Sequence, residues 1–261
     1  MGCMQKEEIP VEEVPISRYP ELKKLMETGE PVCITFETEE GDTKEGLHGT
    51  EPLKKAVPFQ GTAPEEKVAG KKTEELPDKS GFLSGFLFCE LVQKARMGEK
   101  FRISGQKCSP GDYVLGLSDK SPAEYYFKSG RYINTHAAEK AALSLPRLKR
   151  KFRSIVIEPL SLNKGSFDVL ILFLRPERAM RVVQANAYSG GKRTVVDTMG
   201  AASICGDCTV LALEQGIGLS FGCKGSRKHS GYKDFEVPFG IAFEKLKEIE
   251  KGLSKLPETT K

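Results

Sequence analysis

No apolar run in this chain is long enough to cross a bilayer; the longest, Val169 to Leu174, is six residues against the twenty or so that a spanning helix needs. The opening Met1-Gly-Cys-Met-Gln-Lys-Glu-Glu has no apolar segment of the secretory kind. Lys6 stands where a myristoylation signal wants serine or threonine. A secreted, membrane-spanning or lipid-anchored protein is therefore not expected, and the expectation is a cytoplasmic one. Strong charge of either sign is also missing: 40 basic residues against 36 acidic leave a net +4 over 261 residues. That small surplus argues against a nucleic-acid partner. The one basic cluster, Leu148-Lys-Arg-Lys-Phe-Arg153, reads as a solvated linker before a strand, with a phosphate-binding patch as the other reading. Tryptophan is absent, histidine occurs three times and lysine and glutamate are abundant, a composition that suits a thermophile. No internal repeat is found.

Cysteine is well represented, with seven residues. An odd count in a chain expected to stay reduced speaks against a disulfide framework. The rest is the composition of an ordinary globular protein, 39% hydrophobic and 29% charged.

Residues 1 to 30 form a polar N-terminal segment with a short helix predicted at Tyr19 to Met26, and residues 31 to 261 are read as a single domain. Pro31 to Thr38 alternates and is β-branched, a strand pattern; Cys33 within it is expected to be a core residue. From 39 to 78 the chain is rich in Gly, Pro, Lys and Glu, and a long irregular insertion carrying His48 is expected there. Helical spacing predicts a helix from Gly81 to Arg96, then a Pro-Gly loop around Cys108, a short strand from Val114 to Leu117, and helices near 121–127 and 136–145. Arg153 to Glu158 and Asp168 to Leu174 read as strands, the second buried on both faces. Pro176 opens a helix to Tyr188. A helix from Ser203 to Glu214, a strand from Gly218 to Phe221, and a final amphipathic helix with Phe243, Leu246, Ile249 and Leu253 on one face complete the series. The fold class expected is α/β or α+β, a mixed sheet with flanking helices.

The stretch "CGDCTVLALEQGIGLSFGCKGSR", 205 to 227, gathers three of the cysteines. With Ser203 as N-cap, Cys205 and Cys208 would lie one turn apart on one side of a helix start, where the dipole favours thiolate. As a pair they are compatible with a metal, a redox dithiol or chance. Cys205, Cys208, Cys223 and His229 can also be written as a zinc site with three thiolates and one imidazole. No Cys-x2-Cys-x2-Cys run occurs, so an iron–sulfur cluster would have to collect ligands from distant segments. On spacing alone, Cys89 reads as a core thiol.

Four stretches change the weighing: "FCELVQKARMGEKFRISGQKCSPGDYVLGL" (88–117), "FDVLILFLRPERAMRVVQANAYSGG" (167–191), "GAASICGDC" (200–208) and "GLSFGCKGSR" (218–227). Together they resemble the archaeal and bacterial domain-of-unknown-function family 169, over roughly residues 31 to 245. The resemblance implies one cysteine in each of four motifs, which fall here on Cys89, Cys108, Cys205 and Cys223. Ser109 between Cys108 and Pro110, and the additional Cys208, depart from the pattern. The family has no assigned activity, so the resemblance brings a site and no reaction.

Four cysteines on four separate turns suit all-sulfur ligation of an iron–sulfur cluster or of zinc. The leading expectation is a [4Fe-4S] cluster on Cys89, Cys108, Cys205 and Cys223, with redox or sulfur and small-molecule chemistry in an anaerobic metabolism. The alternative is a non-catalytic ligand-binding or regulatory module shaped by a structural zinc on Cys205, Cys208, Cys223 and His229. Four thiolates carry about −4 against about +2 from either metal core, so about −2 must be offset. Lys224 and Arg227 are expected to offset it and to attract a small anionic molecule; a redox partner protein is the other expected partner.

Overall fold

The computed structural model describes residues 19–27, 29–38, 82–83 and 87–257. The predicted insertion at 39–78, with His48, lies outside the described residues. The described chain forms a seven-stranded mixed sheet in the order β2-β3-β4-β1-β5-β7-β6. Its strands are β1 (Val32–Glu37), β2 (Phe82–Leu83), β3 (Phe101–Ile103), β4 (Ser154–Pro159), β5 (Val169–Leu174), β6 (Ile217–Leu219) and β7 (Val237–Ala242). Only the β2–β3 pairing is parallel; the other neighbours run antiparallel.

Period-two alternation divides the centre of the sheet between two cores. Val169, Ile171 and Phe173 of β5 face one, with Ile34 and Phe36 of β1. Leu170, Leu172 and Leu174 face the other, with Phe239 and Ile241 of β7. On the second face pack α1 (Pro20–Leu25), α6 (Pro176–Ala187) and α9 (Leu246–Lys255). The segment at 19–25 is part of that core, because Tyr19, Leu22 and Leu25 are buried and the Glu250 carboxylate of α9 accepts the Glu21 and Leu22 amides. The first face is covered by α2 (Phe88–Arg96), α3 (Ser109–Val114), α4 (Ala123–Lys128), α5 (Thr135–Leu143) and a π-helix, Ser203–Val210, which runs on into α7 (Leu211–Gln215).

Several local expectations are corrected. The helix expected from Gly81 begins only at Phe88, because Phe82–Leu83 pairs with β3 as an edge strand. The strand expected at 114–117 is instead the end of helix α3, which Pro110 starts in its first turn. Strand β7, flanked by no alternation and carrying Pro238 and Gly240, went unpredicted although all six of its residues are buried. The expected α-helix from Ser203 is the π-helix. Ser203 is not its cap: Ala202 holds that place in a left-handed conformation (φ 50, ψ 44), and its carbonyl accepts the amides of both Gly206 and Asp207. The Thr209 hydroxyl donates to the Ile204 carbonyl five residues back, a contact that suits the wider turn.

The π-helix lies unusually close to the sheet. A Cβ on Gly240 would stand 1.7 Å from the Cys208 carbonyl oxygen, and one on Gly218 would stand 1.9 Å from that of Asp207. Gly218 and Gly240 are cross-strand partners in the β6–β7 ladder. Two bare positions side by side thus make the seat on which the helix backbone rests.

Candidate cysteine site

Three of the site's four thiols sit at or next to helix starts, and the fourth is in the first turn of the π-helix. Cys89 is the second residue of α2, and Cys108 is the N-cap of α3. Cys205 is the third residue of the π-helix, and Cys223 is the N-cap of α8 (Lys224–His229), a helix the sequence reading had taken as a turn. The Cys223 Sγ accepts the Ser226 amide at 3.4 Å while the Ser226 hydroxyl accepts the Cys223 amide at 2.8 Å, so the thiol and the serine cap the helix reciprocally.

The elements that carry the four thiols pack on one another, α2 on α8 and on the π-helix, and α3 on the π-helix. Burial pushes Cys89 up to about 12, and the charges of Cys223 and Cys108 push the same way. Burial also raises Cys108, against the Gly111 amide and Arg131, with Cys223 adding to the rise. Cys205 is raised well above its ordinary value, first by burial and then by Cys108, Cys223 and Cys89. Every one of the six pairs among Cys89, Cys108, Cys205 and Cys223 is thus in electrostatic reach, although the residues span 134 positions in sequence. The expected thiolate-favouring effect of the helix start is overridden, since taking a thiolate out of water costs more than the dipole returns. Cys205 is buried and the other three are half-buried.

Cys208 is held differently. It is fully buried and its Sγ donates to the Pro238 carbonyl at 3.2 Å; burial raises it strongly, with Asp207 and then Cys223 adding to the rise, so of the four thiols Cys223 is in reach of it. In the π-helix the two cysteines do not share a side as α-helical spacing predicted. His229 stands at the far end of α8 from Cys223, about 9 Å along the axis for six residues. Cys33 is a core thiol, as expected. Among the described residues no group of three or more His, Cys, Asp or Glu side chains stands as it could hold a metal ion.

The charge expected of Lys224 and Arg227 lies differently. Lys224 is exposed. The Arg227 guanidinium donates to the Phe221 carbonyl at 2.7 and 3.0 Å and to the Lys233 carbonyl at 3.3 Å, and lies over the Tyr232 ring at 4.5 Å. Tyr232 in turn meets the Ser226 hydroxyl at 3.1 Å, so Arg227 reaches the thiols through Tyr232 and Ser226. The cation that acts on Cys108 is Arg131, stacked over Tyr125 and Tyr126 at 5.3 and 5.5 Å. No sequence signal marked it.

Nor was Tyr126 foreseen. It is completely buried, its hydroxyl has no hydrogen-bond partner among the described residues, and it is electrostatically coupled to Cys205 and Cys108. The buried Ser230 hydroxyl likewise has no partner within bonding distance, yet it is near enough to the Cys89 thiol to favour its charged form. A buried hydroxyl without a partner costs about 1–3 kcal/mol. Two of them around one group of thiols fit a site whose remaining acceptor is supplied by something bound. Asp207, between Cys205 and Cys208, by contrast accepts two hydroxyls on its Oδ2, those of Thr198 (2.7 Å) and Ser220 (2.6 Å), and burial raises it to about 6.

A family profile described as "Uncharacterised ArCR", domain-of-unknown-function family 169, matches residues 23–252. An uncharacterised protein of Methanocaldococcus jannaschii is 29% identical over 193 residues, covering 70% of this chain and 83% of the relative. No solved structure matches.

Proposed function

The chain belongs to domain-of-unknown-function family 169, and from that premise we propose that Cys89, Cys108, Cys205 and Cys223 hold a [4Fe-4S] cluster that serves redox or sulfur and small-molecule chemistry. The observation that carries this reading is the convergence of four thiols from four separate segments into one mutually coupled group. A cluster carries its ligand thiolates on its corners, further apart than the ligands drawn about 2.3 Å from one zinc ion. It therefore suits thiols that are coupled without being gathered round a single point. When bound, a cluster would supply one-electron transfer. The chain's own part is to hold the thiols at helix starts, to place Arg131 and the backbone amide of Ser226 against their negative charge, and to keep the Ser230 hydroxyl near Cys89 and the buried Tyr126 hydroxyl in electrostatic reach of Cys205 and Cys108. Lys224 and Arg227 add positive charge at longer range, where it would draw in a small anionic substrate or an acidic redox partner. Three of the four thiols are only half-buried, which suits such an exchange. Reduced thiols of this kind fit a cytoplasmic setting, and no helix of the described residues is long and apolar enough to cross a membrane.

The zinc reading on Cys205, Cys208, Cys223 and His229 has less support, because Cys208 is turned to the Pro238 carbonyl and His229 stands a helix length from Cys223. Anaerobic purification followed by iron, acid-labile sulfide and zinc analysis decides between them. About four iron and four sulfide per chain is expected. One zinc per chain without sulfide would replace the cluster reading with the structural one.

A further inference from the structure

The basic run at 148–153 is not a solvated linker. Residues 146–152 have no regular secondary structure, yet they are pinned along their length. The Leu148 amide donates to the Val114 carbonyl at 2.7 Å. The Arg147 guanidinium donates to the carbonyls of Tyr113 and Ser118, both at 3.3 Å, pairs with Asp119, and lies over the Tyr113 ring at 4.8 Å. Arg150 donates to the Phe36 carbonyl and to Asp168, both at 3.2 Å. The Phe152 ring packs edge-on against Phe36 at 5.0 Å, and the Arg153 amide donates to the Glu37 carbonyl at 2.7 Å. Gly116, at φ +71, permits the approach, since a Cβ there would stand 2.9 Å from the Leu148 carbonyl.

The pinned segment forms one wall of a cleft of about 710 Å3, with Gly116 and Asp119 on the other side. The size is that of a small-molecule site. Its lining holds Arg147, Lys149, Arg150 and Lys151 against the single carboxylate of Asp119, which Arg147 already engages. Leu148 and Phe152 give it an apolar part. Holding two arginines rigid in advance lowers what a ligand must spend on ordering them, and a guanidinium has five donors, of which these bonds use only some. The two lysines bring further positive charge to the same space, and arginine forks suit phosphate oxygens.

The geometry points to this cleft as a binding site for a small phosphorylated anion carrying two or more phosphates, of nucleoside diphosphate size. The site is independent of the thiols and of what they hold.

The test is titration calorimetry on the full chain with inorganic pyrophosphate and with ADP, at low and at moderate salt. Both are expected to bind, more weakly at higher salt as charges are screened. The double variant Lys149→Gln/Lys151→Gln should bind about tenfold or more weakly with an unchanged melting curve, while Lys251→Gln, exposed on α9 and outside the cleft, should bind as the parent does. No binding of either probe by the parent, or equal binding by the double variant, overturns the site. So does capture of a single-stranded oligonucleotide or of anionic lipid vesicles without binding of the small probes.

Discussion

At the scale of single residues, the different setting of Cys208 gives the sharpest test of the thiol site. Replacing Cys89, Cys108, Cys205 or Cys223 with alanine should each cut bound iron and sulfide to a small fraction of the parent's. Cys208→Ala should leave them near full occupancy, because its sulfur faces Pro238. Metal analysis of the five variants checks this, and loss in Cys208→Ala with retention in Cys89→Ala would restore the zinc alternative. The hydroxyl of Tyr126 and the cation of Arg131 act on charge rather than on ligation. Both Tyr126→Phe and Arg131→Gln should keep the metal and lower its reduction potential, since each removes a group that stabilises added negative charge. Arg227→Gln should shift it less, because its guanidinium is spent on the Phe221 and Lys233 carbonyls. A redox titration of the three variants separates these effects from mere loss of packing, which would move all three melting temperatures and no potential.

At the scale of elements, the π-helix and its glycine seat decide whether the site exists. A side chain on Gly240 has nowhere to go with the Cys208 carbonyl 1.7 Å away, and backbone cannot rotate aside as a flexible side chain can. Gly240→Val should therefore cost about 4 kcal/mol or more, or leave no folded protein. Gly165→Ala, with open space around it, should change stability by less than about 0.5 kcal/mol. The start of the same helix holds a smaller strain. Ala202 is the one described non-glycine residue at positive φ, and Ala202→Gly should stabilise the protein by about 0.5–1 kcal/mol. Urea unfolding of the three variants gives all three figures.

At the scale of the whole molecule, a centre on the four thiols would lock together helices that already pack on one another: α2 on α8 and on the π-helix, and α3 on the π-helix. A centre bound to α2, α3, the π-helix and α8 stabilises the native form alone, so its removal under reducing, chelating conditions should lower the melting temperature. An apo-protein melting as the loaded one does would mean the thiols do not organise this face. A second tie is already closed. Arg96 of α2 and Glu236 before β7, each 4% exposed, pair at 2.7 and 3.4 Å, with Arg96 over the Phe173 ring at 4.7 Å. Glu236→Gln removes one charge of this buried pair and should cost about 3–5 kcal/mol, measured by denaturant unfolding of the apo form so that metal binding does not enter.

By itself the sequence determined those features whose cause is local. The β-branched run of β1, the unbroken apolar run of β5, Pro176 at the start of α6 and the amphipathic face of α9 each carry their own pattern, and each is found where that pattern puts it. The same holds for the class of the fold, a mixed sheet between helices. What the tertiary structure decided is everything that depends on one segment meeting another. Strand β7 is hidden in sequence by Pro238 and Gly240, and Gly240 is there for the helix that rests on it. The π-helical turn rests on Ala202 and on the Thr209 bond to Ile204, and it turns Cys208 away from Cys205. Tyr126, Arg131 and Ser230 adjoin no cysteine in the chain and come to the thiols only because helix packing on one face of the sheet brings them there. Periodicity records which side of an element is buried; it does not record what that side is buried against.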